Sequence, residues 1–182
     1  FTIESGSTLD LGNVNGHSFG SIPVCSGTLR IASSAYFPTG DWGNFLGTSG
    51  GTVEYYQTAA GTLTLPTTYT LPGGGTANIT GYYNLNTSPY NASNIILPNS
   101  NLTIYNNLTV GYSYGGGTSN CITQINAGES STTLEVKGNI NINQYGVLQY
   151  QNNLAEYAIA DNDINIASGG ALQVRNGGNS VA

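Results

Sequence analysis

The chain has 182 residues and a formal net charge of −6, and only 7% of its residues are charged, against roughly 25% in an ordinary soluble protein. Its basic residues are Arg30, Lys137 and Arg175, too few to form the stripe that displaces counterions from nucleic acid, so a nucleic-acid partner is not expected. No apolar run approaches the ~20 residues that cross a bilayer, and 26 glycines and 23 asparagines with no methionine make an alphabet of turns and strands rather than helices.

From the start, FTIESGSTLDLG alternates like a strand already under way, and the segment is expected to be a mature fragment or an excerpt of something longer. GSTLDLG at 6–12 is echoed by SGTLRIA at 26–32 and GGTVEYY at 50–56, at intervals of 20 and 24 residues. Leu9, Leu29 and Val53 are thereby expected to be equivalent. The row is expected to pass loosely through a turn near 77–79 and to continue at Leu102, Leu134 and Ala158. TLTL at 62–65 and TTYT at 67–70 have the threonine spacing of an ice-binding face, but the array stops after one unit.

Next, LTIYNNLTV at 102–110 aligns with LEVKGNINI at 134–142, 32 residues on. That is one 24-residue unit with eight residues to spare, which are assigned to a loop insertion at 111–121. The last restatement is the clearest. Ile140, Ile142, Gly146, Leu148 and Gln149 recur 24 residues later as Ile164, Ile166, Gly170, Leu172 and Gln173.

Short alternating runs that recur at this period, with no helical pattern inside a unit, predict an all-β parallel β-helix (β-solenoid) of about seven coils of roughly 24 residues, as one segment over 1–182. Equivalent residues then stack. Ile, Leu and Val form inward apolar columns, while Thr109, Asn141 and Asn165, and separately Gln149 and Gln173, form outward ladders whose amides bond along the stack. Lys137 falls above Asp161 as a surface ion pair. Cys25 and Cys121 lie about four units apart, farther than a disulfide spans unless the 111–121 loop folds down along the rod, so two unpaired cysteines are expected, and His17 is expected in an exposed loop.

Carboxylates are scattered except in DND at 161–163. Asp161, Asp163 and Asn165, read as one face of a strand, form a weak calcium candidate, and no cofactor is implied. No pair of carboxylates, nucleophile–base set or phosphate loop emerges, so the chain is read as not an enzyme. Aromatic rings beside Gly- and Asn-rich segments are the better lead. In adjacent pairs one ring points in and one out, and Trp42, Tyr56, Tyr83, Tyr112 and Tyr114 are candidates for stacking on glycan or another surface.

Residues 26–66, SGTLRIASSAYFPTGDWGNFLGTSGGTVEYYQTAAGTLTLP, resemble the large surface adhesins of gliding Bacteroidota, the SprB-type substrates of the type IX secretion system. LTIYNNLTV and LEVKGNINI are similar to the repeats of those proteins. The resemblance implies an extracellular, cell-surface filament that takes part in surface attachment and gliding motility. Its implied partners are surface polysaccharide or substratum, further coils of the same chain, and the secretion and gliding machinery. It carries over no catalytic residue. The alternative reading is a carbohydrate-binding or polysaccharide-degrading β-helix protein.

Overall fold

A computed structural model describes residues 1–32, 36–111, 121–125, 132–151 and 157–175. The chain runs through β1 (Thr8–Asp10), β2 (Ser18–Ser21), β3 (Thr28–Ile31), β4 (Thr39–Asp41), the single-turn helix α1 (Gly43–Leu46) and β5 (Thr52–Tyr56). After β6 (Thr62–Thr64), β7 (Thr68–Thr70) and β8 (Thr76–Asn78) form an antiparallel hairpin. The remaining strands come in threes. They are β9 (Gly81–Tyr82), β10 (Asn84–Ser88) and β11 (Asn94–Ile96); β12 (Leu102–Ile104), β13 (Leu108–Val110) and β14 (Cys121–Ile125); β15 (Thr133–Val136), β16 (Ile140–Ile142) and β17 (Gly146–Gln151); and β18 (Tyr157–Ala160), β19 (Ile164–Ile166) and β20 (Ala171–Arg175).

These strands build three parallel sheets. The long sheet has seven strands in the order β1-β3-β5-β10-β13-β16-β19, a second has five (β6-β11-β14-β17-β20), and a third has four (β9-β12-β15-β18). From β9 onward the chain visits the four-, seven- and five-stranded sheets in that order, four times over. Ahead of this, β2 pairs in parallel with β4. The protein is thus all-β, with mostly parallel sheets.

Alternation decides which side chains face the core. In the long sheet one inward column is Leu9, Leu29, Val53, Leu85, Leu108, Ile140 and Ile164, each paired with the next. The expected equivalence of Leu9, Leu29 and Val53 holds, but its continuation does not. Leu102, Leu134 and Ala158 form their own column in the four-stranded sheet, and 77–79 is no turn, because Thr76–Asn78 is the second strand of the hairpin. The later intervals are as read: Leu102 pairs with Leu134, Ile140 with Ile164, and Leu148 with Leu172. Val110 pairs with Ile142 and Cys121 with Gly146, and residues 112–120 of the expected loop insertion lie outside the described residues.

Polar groups inside the core pair with one another across sheets. The buried hydroxyls of Tyr55 (β5) and Tyr82 (β9) are 3.2 Å apart, with their rings edge to face. Those of Thr87 (β10) and Thr123 (β14) are 2.7 Å apart. In each pair one buried hydroxyl donates and the other accepts within an apolar interior. An aromatic cluster fills the region ahead of the repeated strands. Trp42 is edge-on to Phe19, Phe37 and Phe45, and its Nε1–H donates to the Pro38 carbonyl. A Cβ on Gly50 or Gly51 would strike Phe45, which is why the chain enters β5 through two glycines.

Ile164, Ile166 and Leu172 lie on the outermost strands of two sheets and are 46%, 49% and 39% exposed. Their partners one strand below, Ile140, Ile142 and Leu148, are buried. The same tripeptide INI therefore occurs once inside and once at an edge. Ile142→Ala is expected to cost about 2–5 kcal/mol, and Ile166→Ala less than about 1 kcal/mol, measured by urea unfolding. Equal costs would place the two strands in equivalent surroundings.

Candidate functional site

The outward residues of the long sheet form one continuous row: Asp10, Arg30, Glu54, Asn86, Thr109, Asn141 and Asn165. Its first three members form a clasp. Arg30 Nη1 lies 2.9 Å from Asp10 Oδ2, and Nε lies 3.0 Å from Glu54 Oε2. The Tyr56 ring packs under the guanidinium, 4.2 Å from Cζ, and its hydroxyl donates to Asp10 Oδ1 at 2.8 Å. Gly12 N–H donates to Asp10 Oδ1, and the Ser88 hydroxyl donates to Glu54 Oε1 at 3.2 Å. Partial burial works against the Arg30 charge, but Glu54 and then Asp10 outweigh it and hold the guanidinium pKa above its ordinary value. Burial, reinforced by the bond to Asp10, pushes the Tyr56 phenol up to about 12.

A second row runs along the corner where the chain enters the long sheet. Asn84 Oδ1 accepts from Asn107 N–H at 3.1 Å, Asn107 Oδ1 from Asn139 N–H at 2.9 Å, and Asn139 Oδ1 from Asp163 N–H at 3.2 Å. Each residue directly precedes an inward Leu or Ile, so each amide bonds a backbone donor at the turn one strand away. Side-chain ladders extend the pattern. Asn165 donates to Asn141 at 3.0 Å, Gln124 to Gln149 at 3.1 Å, and Gln149 to Gln173 at 3.0 Å. The ladders match the expected columns, with one correction: Gln149 is almost fully buried rather than outward in solvent.

Between the clasp and the Asn141–Asn165 pair the side-chain bonding along the first row is interrupted. Here a shallow groove of about 260 Å³ opens, lined by Glu54, Asn86, Ser88, Thr109, Asn143 and Gln144 around Gly111. Among the described residues, the side chains of Asn86, Thr109, Asn143 and Gln144 have no hydrogen-bond partner, in contrast to the ladders on either side.

No protein-family model, curated protein or solved structure matches the chain.

The structure redistributes the residues singled out from sequence. Trp42 is fully buried in the aromatic cluster and offers no face to a ligand, because three phenylalanines from separate stretches enclose it. Tyr56 is only 6% exposed and is committed to Arg30 and Asp10, and its neighbour Tyr55 is buried too, so this pair does not divide into one inward and one exposed ring. Tyr83 is half-buried at the corner beside Tyr105, whose ring lies against Gly81; a Cβ on Gly81 would come within 3.0 Å of it. Tyr112 and Tyr114 lie outside the described residues.

Asp161 and Asp163 are exposed in the turn ahead of β19, not on one strand face, and Asn165 is bonded to Asn141. Among the described residues no three acidic, His or Cys side chains gather as metal ligands, and Lys137 makes no ion pair with Asp161. Cys25 and Cys121 are buried without a disulfide between them. His17 is half-buried, and its Nε2 has no partner among the described residues, so the exposed-loop reading is corrected. The clasp went unread, although its signal was there: Asp10, Arg30 and Glu54 follow Leu9, Leu29 and Val53 in one aligned column, with charges alternating in sign.

Two outcomes follow from this chemistry. Asn107→Ala strands the Asn139 N–H and is expected to cost about 1–3 kcal/mol. Asn107→Asp keeps an acceptor there and is expected to be milder in the same urea titration. The folded protein also holds the Tyr56 proton more tightly than the unfolded chain, whose phenols titrate near 10. That contribution is intact below pH ~10 and is lost as pH rises through about 12. The stability advantage of the wild type over Tyr56→Phe should therefore shrink across that window, and a constant difference would contradict the assignment.

Proposed function

We propose that the chain is a parallel β-helix acting as a non-enzymatic structural and adhesive segment of an extracellular cell-surface adhesin, of the kind that gliding bacteria export by type IX secretion and use for surface attachment and motility. The observation that carries the reading is the repeated visiting order of the three parallel sheets, in which like residues lie in line from strand to strand. Such a stack is stiffened by its backbone ladders and columns, and needs no cofactor to hold it. Further coils of the same chain would add to it without a change of design.

The chemistry of the outer face points the same way. Asp10 and Glu54 are the carboxylates of the long sheet's outward row, and Arg30 engages both in ion pairs. Low charge reduces the cost of desolvating the face against a polysaccharide or solid substratum. No helix among the described residues is long and apolar enough to cross a membrane. A carbohydrate-binding role is the second reading, and the groove between Glu54 and Gln144 favours it.

Beads coated with the purified 182-residue chain and placed under flow over polysaccharide-coated and bare glass should be retained above beads bearing an unrelated protein of equal charge. The same preparation should release neither reducing ends nor unsaturated uronates. Turnover that disappears in Asp161→Ala or Asp163→Ala would replace this reading with an enzyme, and loss of retention on every surface would remove the adhesive role.

A further inference from the structure

We infer that the groove beside the Arg30 clasp is a subsite for a neutral, hydroxyl-rich saccharide, formed by Asn86, Thr109, Asn143 and Gln144 against the Glu54–Ser88 wall. This deepens the adhesive reading by naming the place and the chemistry of contact, but the groove's ability to bind a soluble sugar stands without it.

Three features carry the assignment. First, the outward polar side chains elsewhere on this face are largely used up in ladders and in the clasp, whereas here four come together without protein partners among the described residues. Second, those four are three primary amides and a hydroxyl. Each amide offers an acceptor and two donors, and a hydroxyl offers both functions. Sugar hydroxyls have the same dual character, so vicinal pairs on a pyranose ring can be met by one amide. Phosphate or carboxylate ligands would use only the donors. Third, the charge is of the wrong sign for an anion. Among the described residues Glu54 is the one charged residue lining the groove, and the nearby Arg30 is held between two carboxylates.

Size and shape narrow the ligand further. At about 260 Å³ the groove lies just below the roughly 300–1,000 Å³ of sites that engulf a drug-sized molecule. It opens to solvent along one face and would take one or two rings of a polysaccharide from the side. Gly111 forms part of the lining, where a Cβ would sit 3.7 Å from the Ser88 hydroxyl oxygen and would narrow the space. Among the described residues no aromatic ring lines the groove; a single open subsite of amides and a hydroxyl binds weakly, in the millimolar range, and firm attachment has to come from many copies acting together.

Saturation-transfer NMR of the wild-type chain with neutral gluco-, galacto- and manno-oligosaccharides, and in parallel with oligogalacturonate and alginate fragments, tests the assignment. At least one neutral series should bind, shifting the resonances of Asn86, Thr109, Asn143 and Gln144, with the uronates weaker by tenfold or more. The double variant Asn86→Ala/Asn143→Ala should lose about tenfold in affinity with an unchanged circular-dichroism spectrum. If that variant is misfolded, the shift map of the wild type alone decides. Absence of binding by every neutral sugar, shifts confined to other faces, or uronates binding as tightly would overturn the proposal.

The two readings separate cleanly. A folded double variant that still holds beads to a neutral polysaccharide removes the groove and leaves the adhesive role. A wild type that binds soluble sugar in the groove yet fails to retain beads removes the adhesive role and leaves the groove.

Discussion

Parallel pairing without a shift of register is the constraint on which the rest of this molecule depends. It places Leu on Leu, Ile on Ile and Asn on Asn over successive strands, and one geometric rule thereby generates both the interior and the surface. Inside, the columns pack against one another and buried hydroxyls meet in pairs, Tyr55 with Tyr82 and Thr87 with Thr123. Outside, the same alignment turns single asparagines into ladders wherever an amide finds a donor directly above or below. A one-residue slip would send the apolar columns outward and the ladders inward, so the two patterns enforce one another.

The later part of this arrangement was plain in the sequence because the units there are close copies. INI recurs intact, and Leu-Gln follows it at a constant offset. The step from Val53 to Leu85 was not legible, since the β7–β8 hairpin inserts further Thr-rich alternating residues that read as more of the same strand pattern. Trp42 misled for another reason. Its sequence neighbours are Gly and Asp, which suggest a loop, whereas the rings that bury it arrive from residues 19, 37 and 45 through the fold. The groove was hidden because it is defined by what its amides do not bond, and a linear pattern does not display unused capacity.

A sparse set of charges is concentrated where it satisfies itself. Asp10, Arg30, Glu54 and Tyr56 form a closed network at one end of the outward row, and the remainder of that row is uncharged. Exposed ion pairs contribute little individually, but this one is part-buried and fixes three adjacent strands relative to one another. The result is a face with its reactive carboxylates occupied and its neutral amides partly available, which suits the proposed contact role better than a chemical one.

The ladders also determine how such a stack would respond to being pulled. Hydrogen bonds between neighbouring strands run along the direction in which the strands accumulate, so tension applied from one end to the other loads successive strand pairs in series. Only the weakest pair has to give at any moment. Extension would then proceed by peeling one strand at a time, each released segment adding slack before the next yields. A tether built in this way dissipates a tug in small steps instead of snapping at a single threshold.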